Sequence, residues 1–475
     1  MFVMHTEESV MNFRDKISTI DQQGRRIWIY PKKPSGRLTS ARGMVSILLL
    51  AFMFLAPLIK IDGQPLLLFD VLQRRFVIFG MIFWPQDFYI FVLASLVLIV
   101  FIVFFTVVFG RVWCGWACPQ TIFMEMVFRR IEYWIEGDAR NQVALNRASW
   151  TFSKFLKKSS KHLIFYGLSF IIGNIFLAYF IGTDRLFSII TDPPSQHLGG
   201  LTIMILFSGV FYWVFAFFRE QVCTLVCPYG RLQGVLLDQN SVVVAYDFQR
   251  GEPRGKIRRG KNQDDLGDCI DCLQCVEVCP TGIDIRNGTQ LECINCTACI
   301  DACNHVMERV RRPKGLIRYA SYNGILKGRK FRFTPRIIGY AAVFFVSITL
   351  TGVLFAARKP IDITVLRTPG MMYQEIENGY LANLYNLKII NKTNHDEVID
   401  IRLESPDGRI KVIGGNLNVP KNNFLESAFF VEIPTEKIRF VRTPVILNIY
   451  TRDHLIDEIS TSFIGPDPYD KAGKK

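Results

Sequence analysis

Eight of the twelve cysteines lie in two short runs of the same spacing. The first run, CIDCLQCVEVCP, covers residues 269–280, and the second, CINCTACIDACN, covers residues 293–304. Both runs have the form Cys-x2-Cys-x2-Cys-x3-Cys. Thiolates are soft ligands, so two such runs in tandem predict that this part of the chain binds metal.

The spacing matches the bacterial ferredoxin pattern, in which three cysteines of one run hold a 4Fe-4S cluster and the fourth crosses to the neighbouring cluster. One predicted cluster is held by Cys269, Cys272, Cys275 and Cys303. Its partner is held by Cys279, Cys293, Cys296 and Cys299. A pair of zinc sites is the other interpretation, but zinc modules usually separate two Cys-x2-Cys pairs by a longer loop.

One residue departs from the ferredoxin pattern. Asn304 stands where a proline usually follows the last cysteine. Ligation is expected to survive this change, because Asn can offer hydrogen bonds where proline stiffens the chain. The potential and the solvent shielding of the cluster that Cys303 serves are the properties expected to differ.

The other four cysteines form two Cys-x3-Cys-Pro motifs, each placed after an apolar run: Cys114 and Cys118 in VWCGWACPQ, Cys223 and Cys227 in VCTLVCPY. This internal repeat predicts a helix break at each motif, with the proline at the first position of the next helix. Each pair could present two thiolates to one metal ion, form a strained disulfide or consist of buried inert thiols. A reducing cytoplasmic side disfavours the disulfide.

The segment TIFMEMVFRRIEYWIEG follows the first motif, at residues 121–137. Its apolar residues have helical spacing with charges between them, which predicts a helix lying on the membrane surface. Soft ligands select Cu(I), and Met124 and Met126 lie close to the cysteines in sequence. Methionine in such a helix, however, more often serves packing than ligation.

The elements that position these cysteines are those of a membrane protein. Five apolar runs approach the roughly 20 residues that a helix needs to cross hydrocarbon. The predicted spans are residues 43–60, 87–109, 163–182, 200–218 and 337–356. Ser169 and Gly173 predict a packing notch on the third span. Charged residues interrupt residues 65–84, which are predicted to be an interfacial or re-entrant piece.

Lys and Arg beside the spans predict the orientation. In a membrane protein the formal charge of +14 indicates basic loops on the cytoplasmic side, and no nucleic-acid partner is expected. The N-terminal segment 1–42, the loop 110–162 and the segment 219–336 are predicted to be cytoplasmic, and five spans then place the C-terminal domain outside. Without a cleavage pattern before it, the first span is expected to be a retained anchor and not a removed signal peptide.

Two soluble modules accompany the spans. A Gly-rich basic linker opens a predicted α+β ferredoxin module at residues 250–336, after a membrane domain at 43–249. Residues 357–475 carry short β-branched and aromatic runs about ten residues apart, which predict seven strands of an all-β immunoglobulin-like sandwich. The predicted fold class is therefore an α-helical membrane protein with a ferredoxin module and a C-terminal β-sandwich.

The chain lacks the residues that are typical of two other classes of membrane protein, the cytochromes and the ion pumps. The six histidines are scattered and none lies deep in a predicted span, so paired haems would have no bis-His ligation. The chain has no Cys-x-x-Cys-His attachment site, and no haem is expected. The third and fourth predicted spans have no ionisable acid or base near their middle, which argues against an ion pump.

With these residues in view, the chain resembles the CcoG family of bacterial cytochrome oxidase accessory proteins, also called FixG or RdxA. The resemblance covers nearly the whole length and rests on the paired Cys-x3-Cys-Pro motifs, the tandem runs joined by CPTGIDIRNGTQLEC, and the outside β-domain. It implies an inner-membrane protein that reduces Cu(II) to Cu(I) for assembly of a cbb-type cytochrome c oxidase, with iron-sulfur clusters as the electron path.

The resulting hypothesis is that a cytoplasmic donor reduces the ferredoxin module and that Cu(II) accepts one electron at the membrane thiols. The predicted catalytic residues, which hold copper as a substrate or transient ligand, are Cys114, Cys118, Cys223 and Cys227. Expected partners are the membrane, copper ions, oxidase subunits or copper-handling proteins, and a cytoplasmic electron donor that the sequence does not identify.

Two other functions fit the same motifs. One is a quinol-oxidising electron-transfer subunit similar to NapH, which shares the membrane motifs and ferredoxin runs but for which a long outside β-domain is not expected. The other is a non-enzymatic assembly scaffold, in which the sandwich holds oxidase subunits and the clusters are structural.

Overall fold

Within the part of the chain that the structure describes, five helices are long and apolar enough to cross a membrane. They are Arg37–Leu55, Pro85–Phe109, Phe152–Ile181, Leu198–Phe218 and Pro335–Ala356. The computed structural model describes residues 19–466, apart from 21–22, 24, 62, 72–74, 257–265, 329–333, 377–378, 394 and 439. The five helices are the predicted spans, and the chain is an α-helical membrane protein.

The first and third spans begin earlier than predicted. The first helix starts at Arg37 and the third at Phe152, so the third contains 30 residues. The polar stretch SKFLKKSSKH continues the third helix because lysine is a good helix former. Thr151 caps this helix, since its hydroxyl accepts a hydrogen bond from the amide of Lys154 at 3.3 Å. An apolar window detects the span and misses this helical extension.

The third and fourth spans pack through small side chains at the predicted notch. Ser169 and Ser208 are fully buried. A Cβ placed on Gly173 would lie 3.1 Å from Ser208 Oγ and 3.3 Å from Met204 Sδ, so the two helices approach closely. Small residues at such contacts allow the close approach that stabilises helix pairs in lipid.

The chain divides into two compact units. The first contains the residues up to 60 together with 65–76 and 85–352, and the second contains 61–64, 77–84 and the residues from 353 onward. Between the first two spans lie short strands, at Lys60–Ile61, Gln64–Pro65, Leu67–Asp70, Arg75–Ile78 and Met81–Phe83. Residues 65–84 form strands because the apolar runs there are too short for a spanning helix. The interfacial or re-entrant position of this piece stays a prediction.

Shorter helices connect the spans of the first unit. They are Val112–Trp116, Pro119–Ile122, Phe123–Phe128, Arg129–Ile135, Ala139–Arg147, Thr183–Thr191, Pro194–Gln196, Val222–Val226 and Pro228–Leu236. The predicted helix after the first motif is present, and its apolar side packs against the spans. Its place on the membrane surface stays a prediction. Phe128 is fully buried and stacks on Phe215 with ring centroids 4.8 Å apart. Its aromatic side inserts between the third and fourth spans, because those spans offer rings for it to pack against.

Buried ion pairs hold the same helix at the ends of the third and fourth spans. Arg219 Nη2 lies 2.6 Å from Glu132 Oε2, and Lys161 Nζ lies 2.9 Å from Glu136 Oε1. Such pairs add little net stability, but removing one partner leaves a buried charge uncompensated at a cost of about 3–5 kcal/mol. The pairs therefore specify where the helix docks more than they stabilise it.

The ferredoxin module follows the fourth span. Its two strands, Val243–Tyr246 and Ile317–Ala320, pair antiparallel with Val243 opposite Ala320. Its helices are Phe248–Gly251, Gln274–Glu277, Ile285–Asn287, Ala298–Arg309 and Tyr322–Lys327. The first strand places the start of the module before the predicted boundary at residue 250. The predicted basic linker lies outside the described residues from position 257.

The start of the first span lies against the ferredoxin module. The backbone amide of Thr39 donates to Asp301 Oδ2 at 2.7 Å, and Arg42 Nε donates to the carbonyl oxygen of Gly115 at 2.6 Å. The amide of Lys33 donates to Asp138 Oδ1 at 2.8 Å. The first span, the loop after the second span and the ferredoxin module therefore meet at one end of the membrane domain.

The second unit contains the predicted β-sandwich. One sheet has the strand order Arg409–Ile413, Phe424–Pro434, Tyr380–Asn391 and Ile361–Arg367, with Gln374–Ile376 beside Tyr380–Asn391. The other sheet has the order Leu417–Val419, Glu397–Ser405, Arg442–Thr451 and His454–Ile464. All seven predicted strands are present, and the two additional strands, Gln374–Ile376 and Leu417–Val419, have only three residues each. The core includes Tyr385 and Phe429, which are fully buried and stack at 5.5 Å.

Reporter fusions test the membrane topology. A reporter inserted after Lys256 should report the cytoplasm and one fused after Lys475 the periplasm, because one span separates them and Lys and Arg favour the cytoplasmic side. A reporter after Lys327 is the matched control and should agree with the one after Lys256. The same compartment for Lys256 and Lys475 would contradict the five-span topology.

Candidate electron-transfer site

One group of four cysteines lines a cavity on the solvent side of the ferredoxin module. The group consists of Cys269, Cys272, Cys275 and Cys303, and all four line one small cavity. Cys303 reaches the cavity from the helix Ala298–Arg309, whereas the other three come from the first run. Cys272 is exposed, and the neighbouring Leu273 is 46% exposed. These are the four cysteines predicted for the first cluster, and they lie close to solvent.

The second group of cysteines lines a neighbouring cavity of similar size. Its members are Cys279, Cys293, Cys296 and Cys299, the set predicted for the second cluster. Cys279 crosses to this group from the first run, as the ferredoxin spacing predicts. Cys275 borders both cavities, so the two cavities lie side by side.

The two cysteine loops share one backbone conformation. Asp271 and Asn295 have positive φ values of 51° and 52°, and Leu273 and Thr297 follow with 58° and 67°. The four residues occupy equivalent positions in the two runs. Left-handed conformations are costly for Leu and Thr, so they persist only where the surrounding structure requires them. Here they turn the chain so that successive cysteines face one cavity.

The cavities fit clusters better than single ions. Among the residues that the structure describes, no three His, Cys, Asp or Glu side chains converge as a single ion would require. A 4Fe-4S cluster spaces its four thiolates around a larger core. Burial raises the pKa of Cys275, Cys293 and Cys303 to about 12, so these thiols need the positive charge of a metal to become ligands. Clusters bound at the two groups would supply one-electron transfer.

Asn304 takes a structural role in place of the usual proline. Its side-chain oxygen accepts a hydrogen bond from the backbone amide of Gly315 at 2.9 Å. This bond ties the helix that carries Cys303 to the loop before the strand Ile317–Ala320. The predicted ability of Asn to offer hydrogen bonds is thus used to hold the chain beside the first cavity.

Both membrane motifs have the predicted helix break. Pro119 and Pro228 occupy the first position of the helices Pro119–Ile122 and Pro228–Leu236. Cys118 and Cys227 precede these prolines with extended backbone, at ψ values of 124° and 111°. The residue before proline is driven out of helical geometry, so each motif places its second cysteine at the joint between two helices.

The structure brings the two membrane motifs together. Cys223 lies within electrostatic range of Cys114, Cys118 and Cys227. Burial raises the pKa of Cys114 to about 11 and that of Cys223 to about 12. Gln233, which is fully buried, donates from Nε2 to the sulfur of Cys114 at 3.2 Å. These thiols are protonated at neutral pH unless a bound cation displaces the proton.

The first membrane motif touches the loop of the second cysteine group. A Cβ on Gly115 would overlap the carbonyl oxygen of Ile294 and lie 3.0 Å from the carbonyl oxygen of Asn295, so only glycine allows this approach. Cys114 packs beside Ile294 and Cys296 in one apolar cluster. The structure therefore places a membrane thiol against the second cavity, a contact that the sequence does not reveal.

Buried polar residues around this contact were not identified from the sequence. Arg42 and Arg111 are only 3% and 5% exposed, and Gln233 is fully buried. Two signals could have identified the arginines: Arg42 stands directly before the first apolar run, and Arg111 stands two residues after the second. A cation at such a position is functional by default when it faces the protein interior.

The two methionines near the first motif differ in their surroundings. Met124 is 4% exposed and packs with Phe123 and Phe128, although it also lines a cleft beside Cys223. The sulfur of Met126 lies 3.4 Å from Arg130 Nη2. Packing therefore accounts for the position of Met124, in line with the packing role expected for methionine in such a helix.

Reciprocal cysteine variants test the crossed ligand assignment. Cys303→Ser should remove the cluster of the solvent-side cavity and lower the iron content from about eight to about four per chain, because a cubane needs all its thiolates. Cys279→Ser should instead remove the second cluster. Electron paramagnetic resonance (EPR) spectra of the reduced proteins distinguish the two losses. Loss of the same signal in both variants would contradict the crossed arrangement.

Three family models match the chain. A "4Fe-4S dicluster domain" matches residues 218–322, which contain both cysteine groups. A "4Fe-4S binding domain" matches residues 91–139, which contain the first membrane motif. The model described as "IG-like fold at C-terminal of FixG" matches residues 351–466, the β-sandwich. The protein is therefore an iron-sulfur protein with the domain order of FixG.

Relatives in other bacteria match most of the chain. Protein RdxA of Cereibacter sphaeroides is 35% identical over 82% of this chain and 86% of its own length. Protein RdxB of the same organism is 34% identical over 85% of this chain and 88% of its own length. Nitrogen fixation protein FixG of Rhizobium meliloti is 33% identical over 82% of both chains. The chain belongs to the FixG/RdxA family of membrane iron-sulfur electron-transfer proteins.

Proposed function

We propose that the protein reduces Cu(II) to Cu(I) at its membrane thiols for assembly of a cbb-type cytochrome c oxidase. One contact carries this proposal. The helix Val112–Trp116, which contains Cys114, touches the loop at Ile294 and Asn295. This contact joins the ferredoxin module, whose cysteines fit iron-sulfur clusters, to the membrane motifs. The membrane motifs contain four thiols that the two clusters do not need as ligands. Electrons delivered to the second cluster can reach these thiols without crossing solvent.

The order of the sites supports one direction of electron flow. The first cavity has the exposed Cys272, so a soluble donor can approach it. The second cavity borders the first through Cys275 and borders the membrane motif through Cys296. A cytoplasmic donor would therefore deliver its electron at the solvent side, and the electron would leave at the membrane side.

Copper chemistry fits the membrane thiols in pairs. Each Cu(II) takes one electron and becomes Cu(I), an ion that prefers soft thiolates. Among the described residues, no three His, Cys, Asp or Glu side chains lie close enough together to hold one metal ion. Copper would therefore be held by two of the thiols at a time. Binding would release the thiol protons, because burial keeps Cys114 and Cys223 protonated without metal. Gln233 would orient the sulfur of Cys114 through its hydrogen bond.

The proposed location is the bacterial inner membrane, with the ferredoxin module in the cytoplasm and the sandwich in the periplasm. The Lys and Arg bias supports this orientation. Copper released as Cu(I) would pass to copper-handling proteins or oxidase subunits. An assembly scaffold with structural clusters is the competing function, and it predicts that the clusters do not exchange electrons with copper.

A quinol is the second candidate electron donor, and one cavity favours it. The cavity has a volume of about 590 Å³ and lies among the spans, lined mostly by aromatic rings such as Phe123, Phe176 and Phe211. Gln120 borders both this cavity and the cleft beside Cys223, and its buried Nε2 has no hydrogen-bond partner among the described residues. Bleaching of the cluster absorbance by a short-chain quinol, abolished by Gln120→Leu, would favour this donor.

A quadruple variant separates the copper site from the clusters. Changing Cys114, Cys118, Cys223 and Cys227 to Ser should abolish Cu(II) reduction and copper binding, because Ser preserves packing but is a far poorer ligand for Cu(I). The iron content should stay at about eight per chain. Copper-dependent activity and metal content of the anaerobically purified proteins provide the measurement.

Two other results of this experiment would change the role assigned to the membrane thiols. A cluster-loaded variant that reduces copper at the rate of the unmodified protein would eliminate the membrane thiols as the site. About twelve iron per chain in the unmodified protein, falling to about eight in the variant, would assign a third cluster to these thiols. Thr224→Ser, which changes a residue between Cys223 and Cys227 without removing a thiol, is the matched control.

A further inference from the structure

Two buried arginines beside the second cysteine group have no carboxylate in ion-pair distance among the described residues. Arg42 is 3% exposed and Arg111 is 5% exposed. Arg42 Nη2 and Arg111 Nε are buried and make no hydrogen bond within the same part of the chain. An unpaired guanidinium inside a protein is costly, so a buried negative charge is expected near each one.

Arg111 lies between the membrane thiols and the second group. Its Nη2 donates to the carbonyl oxygen of Gly230 at 3.0 Å, which fixes the guanidinium on the second membrane motif. Its charge acts on Cys114 and Cys293, and the carboxylate of Glu292 also acts on Arg111. Arg111 therefore faces one cysteine of each site.

Arg42 approaches the same group from the first span. Its Nε donates to the carbonyl oxygen of Gly115, and its charge acts on Cys296. A third buried arginine, Arg129, differs because Glu125 neutralises it at 2.6 Å. The second group thus has two cations without a carboxylate in ion-pair distance among the described residues, both anchored to backbone carbonyls of the membrane motifs. Glu292 acts on Arg111 and Glu125 acts on Cys296 only from farther away.

In the described part of the chain, the two arginines that act on the first group are each paired with carboxylates. Arg286 acts on Cys275, but its Nη2 lies 2.6 Å from Asp284 and its Nη1 lies 2.5 Å from Asp271. Arg250, which acts on Cys303, forms an ion pair with Asp268. Both cations near the first group are therefore neutralised by carboxylates.

We propose that Arg42 and Arg111 raise the reduction potential of the second cluster above that of the first. A 4Fe-4S cluster with four thiolates is anionic, and reduction adds one more negative charge. An unpaired cation in a low-dielectric interior stabilises that added charge, and the net charge around a cluster sets its potential. One electron then moves from the reduced first cluster to the oxidised second cluster, and no proton is needed.

This inference rests on the two-cluster part of the proposed function and not on copper. Potentiometric titration of the full-length, anaerobically purified protein, followed by EPR, measures both potentials. Cys303→Ser identifies the signal of the first cluster. The second cluster of the unmodified protein should be reduced first.

Two charge variants test the role of the arginines. Arg111→Gln and Arg42→Gln should each lower the ratio of reduced to oxidised second cluster at least tenfold, measured at the midpoint potential of the unmodified protein. For a one-electron couple this corresponds to a decrease of about 59 mV in the midpoint potential. The first cluster should change less than twofold. Arg231→Gln removes an exposed arginine from the same helix as Gly230 and should shift neither cluster.

A further variant leaves both arginines in place, in case the Gln variants lose iron. Leu291 is 62% exposed and lies near Gly234, where a Cβ would be 3.9 Å from Arg111 Nη2. Leu291→Glu would place a carboxylate near Arg111 and should lower the potential of the second cluster, whereas Leu291→Gln should not. Equal potentials of the two clusters in the unmodified protein would overturn the inference. So would a shift of the second cluster's potential in the Arg42, Arg111 and Leu291→Glu variants that is no greater than in Arg231→Gln. Iron below about eight per chain in the unmodified protein would overturn the two-cluster assignment itself.

Discussion

The close approach of Gly115 to the Ile294–Asn295 loop is the constraint on which the rest of the site depends. A side chain at position 115 would push the Cys114 turn away from the loop that carries Cys293 and Cys296. Electron transfer between two sites slows steeply with distance, so this glycine controls whether the membrane thiols are connected to the ferredoxin module. Arg42 secures the contact by donating to the Gly115 carbonyl.

Neighbouring elements follow from this contact. The first span must begin at Arg37 and run past the module, because Thr39 bonds to Asp301 on the helix that carries Cys303. The helix after the first motif must insert between spans, because its start is fixed at Pro119 beside the module. Buried ion pairs such as Arg219 with Glu132 then hold its far end. A polar network thus orients an apolar helix that lipid alone would not position.

The sequence predicts those features that depend on local spacing. The cysteine runs identify the two groups, because ferredoxin spacing is short-range, and the apolar runs identify five spans because each is long enough by itself. Proline after Cys118 and Cys227 predicts the helix breaks for the same reason. In each case the signal lies within about twenty residues of sequence.

Features that depend on contacts between distant segments were not predictable. The helix at 119–135 has the pattern of a surface helix, and only the rings of Phe165 and Phe215 explain why it is buried. The partners of Arg42 and Arg111 are backbone carbonyls of other segments, which no local pattern encodes. The strands within 65–84 were missed because their apolar runs are only three or four residues long.

The central claim is that electrons held by the ferredoxin module pass to copper. The most direct measurement mixes pre-reduced protein, freed of excess reductant, with Cu(II) under anaerobic conditions in a stopped-flow spectrometer. The account predicts that cluster absorbance recovers at the same rate as Cu(I) appears in a Cu(I)-specific chelator, with about two Cu(I) formed per chain because each cluster carries one electron. Cu(I) formation without cluster reoxidation, or clusters that stay reduced in excess Cu(II), would contradict it.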